Sequence, residues 1–230
     1  MARYIYPGAK RLYMKFAIVP VKDLSKAKER LSSVLPQDVR TDLAYAMLED
    51  VLTALKGSRL LDRIFIVTMD RNAIRIAGEI GIEIIEETEQ KGESDSVDRA
   101  SRICMEMGAE SVLVIPGDAP LITSKDIDFI AGKELRPPSV ILVPARDMLG
   151  TNAILRNPPD AIPSRFGHDS FRKHIEEAEK KGIRIEYYEN ERVGLDIDHP
   201  DDLKIFASEK SGTRTYELLL RKNILGKICG

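Results

Sequence analysis

Two short acidic motifs stand out in this sequence as candidate metal ligands. The stretch Leu113-Val114-Ile115-Pro116-Gly117-Asp118-Ala119-Pro120-Leu121 is apolar until it stops at an acid flanked by Gly and Pro. A buried parallel strand ending there delivers Asp118 to the carboxyl edge of a sheet, where open α/β folds bind ligands. Farther along, Gly194-Leu195-Asp196-Ile197-Asp198-His199-Pro200 sets two acids on alternate positions. Extended backbone projects both to one side. Together Asp118, Asp196 and Asp198 form a hard oxygen set suited to Mg²⁺. Asp201 and Asp202 fit a plainer role, complementing the positive end of a helix that starts at Pro200. His199 precedes that proline and has no second histidine at ligand spacing, so it reads as structural.

A basic segment leaves the first apolar run: Pro20-Val21-Lys22-Asp23-Leu24-Ser25-Lys26-Ala27-Lys28-Glu29-Arg30. In nucleotide-binding α/β folds that connection lies over the phosphates, and Lys22 and Arg30 could neutralise a triphosphate there. A solvated charged turn is the alternative. The Gly-rich Walker loop of kinases and ATPases is absent. Gly150-Thr151-Asn152 follows a strand, and Phe166-Gly167-His168-Asp169-Ser170-Phe171 opens a helix. Gly167 permits close backbone approach and Ser170 lies near a helix start, so the segment fits either an anion pocket or an N-cap by Asp169 or Ser170 with Phe171 packed. Gly92-Glu93-Ser94-Asp95-Ser96 precedes another helix, where Ser94 to Ser96 fit either a nucleotide base contact or a cap. His174, one turn inside its helix, reads as structural.

The elements that must position these residues alternate. Strands are expected at Phe16–Val21, Ile64–Val67, Ile82–Ile85, Leu113 onward, Ser139–Val143, Asn152–Leu155 and Ile185–Tyr188. Helices are expected at Asp38–Lys56, from Arg71, from about Ser96 to Met107, at Asp169–Lys181, from Pro200 and from about Thr213. Strands separated by helices imply parallel pairing and a sheet covered on both faces. The pattern after Gly150 is more α+β.

Size and composition allow one sizeable core in 230 residues, 43% of them hydrophobic. The formal net charge of -2 argues against a broad nucleic-acid footprint. No apolar run approaches a membrane span, and residues 1–13 do not read as a secretory signal. Cys104 and Cys229 show no metal or disulfide spacing, which fits a reducing cytoplasm. Residues 1–13 read as an extension before a domain of residues 14–230, with 208–230 an apolar tail that packs on its own domain or on a partner subunit.

Taken in order, Pro20-Val21-Lys22 with Ala27-Lys28-x-Arg30-Leu31, Gly117-Asp118-x-Pro120-Leu121, Gly150-Thr151-Asn152, Phe166-Gly167-x-x-Ser170-Phe171-x-x-His174 and Gly194-x-Asp196-x-Asp198-x-Pro200-x-Asp202-Leu203 resemble the 2-phospho-L-lactate guanylyltransferase family of coenzyme F-420 biosynthesis. Bacterial relatives in it use phosphoenolpyruvate. The resemblance implies a single-domain α/β fold, Rossmann-like of the GT-A type, with a mixed, mainly parallel sheet and helices on both faces. It implies Mg²⁺ on Asp118, Asp196 and Asp198, and a phosphorylated three-carbon acid at Thr151, Gly167 and Ser170. GTP phosphates would lie near Lys22, Lys28 and Arg30, with Asp118, Lys22 and Arg30 catalytic and Ser94 near the nucleotide. A cytoplasmic homodimer is implied, without nucleic acid or membrane. Transfer to another phosphorylated acceptor, and a silent nucleotide-binding regulator, are the alternative readings.

Overall fold

In the computed structural model, residues 13–89, 91–133 and 135–228 are described. Cys229 and residues 1–12 lie outside them. Among the described residues the strands are β1 (Lys15–Pro20), β2 (Arg63–Thr68), β3 (Glu83–Glu86), β4 (Ser111–Val114), β5 (Ser139–Pro144), β6 (Thr151–Asn157) and β7 (Arg184–Tyr187). They form one sheet in the order β3-β2-β1-β4-β6-β5-β7. All pairs are parallel except those made by β6, which runs antiparallel to both β4 and β5. The fold class is the expected one. The single reversed strand has a consequence for function: its start, Thr151-Asn152, lies at the same edge as the ends of its neighbours.

The helices are α1 (Gln37–Lys56), α2 (Arg71–Ile80), α3 (Glu93–Glu106), α4 (Ser124–Ala131), α5 (Ser170–Lys180), α6 (Glu191–Gly194), α7 (Pro200–Ser208), α8 (Arg214–Arg221) and α9 (Leu225–Ile228). Strand alternation builds two cores. Ala17, Val19, Ile66, Leu113, Ile141 and Leu155 face one way, against Leu48, Val51, Leu52 and Leu55 of α1. Phe16, Ile18, Phe65, Val114, Leu142 and Ile154 face the other, with Val97 and Cys104 of α3 and Phe171 and Ala178 of α5. The opposite side of α1 makes a third core. There Leu43 and Met47 meet Leu203, Phe206, Leu218 and Leu219, so α7 and α8 pack on their own chain. No described helix is long and apolar enough to cross a membrane.

Three local departures from the sequence reading affect the site. First, β4 ends at Val114, four residues before Asp118; the last ladder bond there is Ile115 N to Ile18 O at 3.1 Å. Pro116 has no N–H to continue it, so Asp118 sits in a turn beyond the strand. Second, α3 starts at Glu93, with Gly92 at φ 130° as its N-cap, which places Ser94 inside the first turn. Third, α4 was not expected, although Thr123 and Asp126 form a capping box before it.

Asp126 also ties that helix to the segment carrying the second acidic motif. Its buried carboxylate accepts from Thr123 N at 3.0 Å, Asn190 Nδ2 at 2.9 Å and Arg192 Nε at 2.8 Å. Burial alone would raise its pKa, but Arg192, Thr123 and Asn190 hold it down at about 2. A carboxyl lowered in the folded state stabilises above its unfolded value, and that stability is lost as pH falls through the folded value. Asp126→Asn is therefore expected to cost about 1–3 kcal/mol at pH 7. In denaturant melts the gap to wild type should narrow from about pH 4 down to pH 2.

Candidate active site

The acids converge at the carboxyl edge of the sheet. Residues 195–198 run extended between α6 and α7, pinned by Ile197 N donating to Asp118 O at 3.1 Å. Ile197 is fully buried, so its two acidic neighbours face the cleft together. One ligand oxygen from each of Asp118, Asp196 and Asp198 lies within 4.8 Å of the others. Asp118 Oδ1 is buried without a hydrogen-bond partner. A buried carboxylate oxygen left without a donor beside two more carboxylates matches what a hard divalent cation needs. These residues fit Mg²⁺.

The basic segment folds into two short 3₁₀ turns, Leu24–Lys26 and Glu29–Leu31, rather than a solvated loop. Asp70, the N-cap of α2, accepts from Leu24 N at 2.9 Å. At the start of α1, Gln37 and Thr41 both donate to Ser25 O at 3.0 Å, and Arg40 donates to Lys28 O at 3.3 Å. Between the turns Lys28 takes a left-handed conformation, φ 59°. Its ammonium reaches inward and donates to Asp118 Oδ2 and Asp198 Oδ1, each at 2.7 Å. Arg30 donates to Asp198 Oδ2 at 3.1 Å from the solvent side. Lys22 lies 3.6 Å from Glu93 Oε2.

The charges perturb one another. Burial would lower Lys28, but Asp118 and Asp198 hold it above its ordinary value. Burial would raise Asp198, but the Lys28 ammonium keeps it low. Asp196 lacks that partner. Burial and then the Asp118 charge push it up to about 6, opposed by the Asn152 amide donating at 2.9 Å. Burial likewise raises Glu93 against the pull of Lys22.

Two cavities meet at this cluster and share Lys22, Arg30, Glu93, Asp118 and Asp198. One, about 580 Å³, runs along the basic segment toward α1. The other, about 850 Å³, extends past Asp196 to Thr151, Gly167 and Ser170. Strand alternation splits the start of β6: the Thr151 hydroxyl meets His174 of α5, while Asn152 donates to Val193 O at 3.1 Å as well as to Asp196. Asp169 occupies the N-cap position of α5 but makes no capping bond; its carboxylate holds Arg172 at 2.6 Å. Phe171 packs edge-on against Tyr187.

The structure thus brings together Lys22, Lys28, Arg30, Asp118, Asp196 and Asp198, with Thr151, Gly167 and Ser170 on the adjoining wall. Ser94 lines neither cavity. Its hydroxyl accepts from Phe166 N at 2.9 Å, tying α3 to the Phe166–Ser170 loop. Asp202 accepts from His199 N at 2.8 Å, the helix-start role expected of it. Sequence reading missed Glu93 and Asn152. Glu93 stood at a misplaced helix boundary, and Asn152, although part of the Gly150-Thr151-Asn152 motif, has no role of its own in the sequence reading.

Solved structures that share this mainly parallel fold include nucleotidyltransferases. A solved structure from Desulfovibrio desulfuricans G20, assigned provisionally to the nucleotide-diphospho-sugar transferases, superposes with a TM-score of 0.76 at 17% identity, covering 94% of this chain and 99% of that one. A nucleotidyl transferase from Methanothermobacter thermautotrophicus gives 0.55 at 16% identity, over 93% and 99%. The chain belongs to the guanylyl transferase CofC-like family, whose model matches residues 14–226. It is 37% identical to the phosphoenolpyruvate guanylyltransferase of Conexibacter woesei over 86% of this chain and 91% of that protein. To the 2-phospho-L-lactate guanylyltransferase of Methanothermobacter thermautotrophicus it is 32% identical, over 88% of each.

The crowded acids should cost stability when no cation is bound. Asp196 is raised in the folded protein, so the folded state takes up a proton at pH values where the unfolded chain has lost it, and stability falls as pH rises toward about 6. Metal-free Asp196→Asn is expected to melt higher than wild type at pH 7.5, by on the order of 1–3 kcal/mol, with the gain vanishing near pH 4. Saturating Mn²⁺ should stabilise wild type and remove the difference. Thermal melts at the two pH values, with and without Mn²⁺, check this.

Proposed function

We propose that this chain transfers GMP from GTP to the phosphate of (2S)-2-phospholactate, giving lactyl-2-diphospho-5'-guanosine and pyrophosphate in coenzyme F-420 biosynthesis. The observation that carries the reading is the continuity of the cleft through Asp118. A cationic half and a half lined by Thr151, Gly167 and Ser170 open on either side of one carboxylate cluster. Phosphoenolpyruvate is the second reading of the acceptor, favoured by the name of the Conexibacter relative.

An oxygen of the acceptor's phosphate attacks the α-phosphorus of GTP. A new P–O bond forms, the bond to the bridging α–β oxygen breaks, and pyrophosphate leaves with its electrons. The nucleophile is already an anion, so no activated serine or cysteine and no catalytic histidine is required. The barrier is charge repulsion and alignment. Lys22 and Arg30 supply cations to the triphosphate, and Lys28, bridging Asp118 and Asp198, adds positive charge at the same end of the cleft. Thr151, Gly167 and Ser170 orient the acid. Asp118, Asp196 and Asp198 would hold Mg²⁺, which when bound neutralises charge between the two phosphates.

We further read the working unit as a cytoplasmic homodimer, with residues 1–13 outside the enzyme domain. The family match beginning at residue 14 supports the boundary. GTP as substrate supports the compartment. Sedimentation showing only monomer at micromolar concentration would overturn the dimer.

The central test follows pyrophosphate with GTP, ATP and CTP, Mg²⁺, and a panel of 2-phospholactate, phosphoenolpyruvate and sugar phosphates. Release is expected with GTP and a three-carbon acid, and is abolished by chelator. Folded protein that releases none with any acceptor sinks the reading. Asp118→Asn should lose activity on the order of 10²–10³-fold with its circular dichroism unchanged. Near-normal turnover would remove Asp118 from the metal site.

A further inference from the structure

His174 is fully buried one turn inside α5 and lines neither cavity. Its ring nitrogens nevertheless meet Thr151, which lines the larger cavity, and Arg165, the residue just before the lining Phe166. Nδ1 lies 3.0 Å from Thr151 Oγ1. Nε2 accepts the backbone N–H of Arg165 at 2.8 Å. The ring also stacks edge-on against Phe166, centroids 5.2 Å apart.

The second bond decides the first. A nitrogen that accepts an N–H carries no proton of its own, so a neutral ring must hold its proton on Nδ1. Burial, then the Arg156 guanidinium, push the imidazolium down to about 4, so the ring is neutral at ordinary pH. Nδ1–H therefore donates to Thr151 Oγ1. A threonine hydroxyl has one proton and two lone pairs. With a lone pair given to His174, its proton is left for the cleft that Thr151 lines. The opposite tautomer would spend the Thr151 proton on the ring and present lone pairs to an incoming anion.

The same ring spans the pocket's two walls. Thr151 opens β6, and Arg165 leads into the loop that carries Gly167, at φ 110°, and Ser170. Ser94 holds the next amide, that of Phe166, from the far side.

We propose that His174 is a positioning residue: it fixes the Thr151 hydroxyl as a hydrogen-bond donor to the anionic acceptor acid and sets the distance between Thr151 and the Gly167–Ser170 wall. This rests on reading that pocket as the acid's.

Nitrogen-15 NMR of the ligand-free wild type tests the tautomer without catalysis. A protonated Nδ1 and bare Nε2 are expected from pH 6 to 8; the reverse overturns the proposal. Steady-state kinetics tests the role. His174→Leu should raise KM for the acid at least tenfold while KM for GTP changes less than twofold. His174→Asn, whose amide nitrogen replaces Nδ1, should recover most of that loss. In the Thr151→Val background, His174→Leu should add less than threefold, because both changes remove one interaction. Full multiplication of the two effects, equal shifts in both KM values, or an Asn variant as impaired as Leu would each overturn it. Should the Leu variant fail to fold, His174→Gln, which keeps an acceptor near Nε2 and leaves Thr151 unpartnered, takes its place. If wild type turns over no acid, the guanylyl reading falls; the NMR still decides the tautomer, and calorimetry of 2-phospholactate on wild type and variant decides the role.

Discussion

Like charges do not gather unless something holds them, and this fold is arranged around that constraint. Three carboxylates meet at one sheet edge, and a single buried ammonium, Lys28, bridges two of them. At a few ångströms in partly buried surroundings such repulsion and attraction are each worth several kcal/mol. The geometry must therefore be imposed by rigid neighbours. Asp118 is set by a turn locked to Ile197, Asp196 by Asn152, and Lys28 by a left-handed backbone resting on Arg40. Asp196, without a cation of its own, carries the residual tension.

Much of the frame was legible because it follows from burial. Residues 16–19, 65–67 and 140–143 are continuous apolar runs, and Leu43, Met47, Val51 and Leu55 mark α1 at helical spacing; all of these are buried. The pairing of Asp196 and Asp198 was legible too, since extended backbone sends alternate side chains one way. What escaped was set by distant partners. The reversal of β6 depends on which strands it joins, and its local pattern is that of any buried strand. Lys28 looked like one cation among several in a basic stretch. Its partners stand far along the chain, and no local periodicity announces an insertion.

Helix boundaries explain the other misreadings. Gly92 is a weak cap by side-chain chemistry, so the sequence places the start of α3 near Ser96 and leaves Ser94 as either a base contact or a cap. Inside the first turn its hydroxyl instead serves Phe166. Asp169 has the right residue type for a cap, yet its left-handed backbone turns the carboxylate to Arg172. His174 matched the reading of a satisfied core histidine. One partner, Thr151, lines the cleft and the other, Arg165, adjoins its wall at Phe166, which only the tertiary structure reveals.

Lys28 meets Asp118 across 90 positions of sequence and Asp198 across 170. Contacts so far apart close long loops, whose closure costs entropy before it is repaid. On a ribosome the first half of the sheet emerges with Lys28 facing Asp118 alone. Its second counter-charge arrives only when the last quarter of the chain has been made. The three-carboxylate centre with its bridging ammonium is thus absent from every shorter nascent chain.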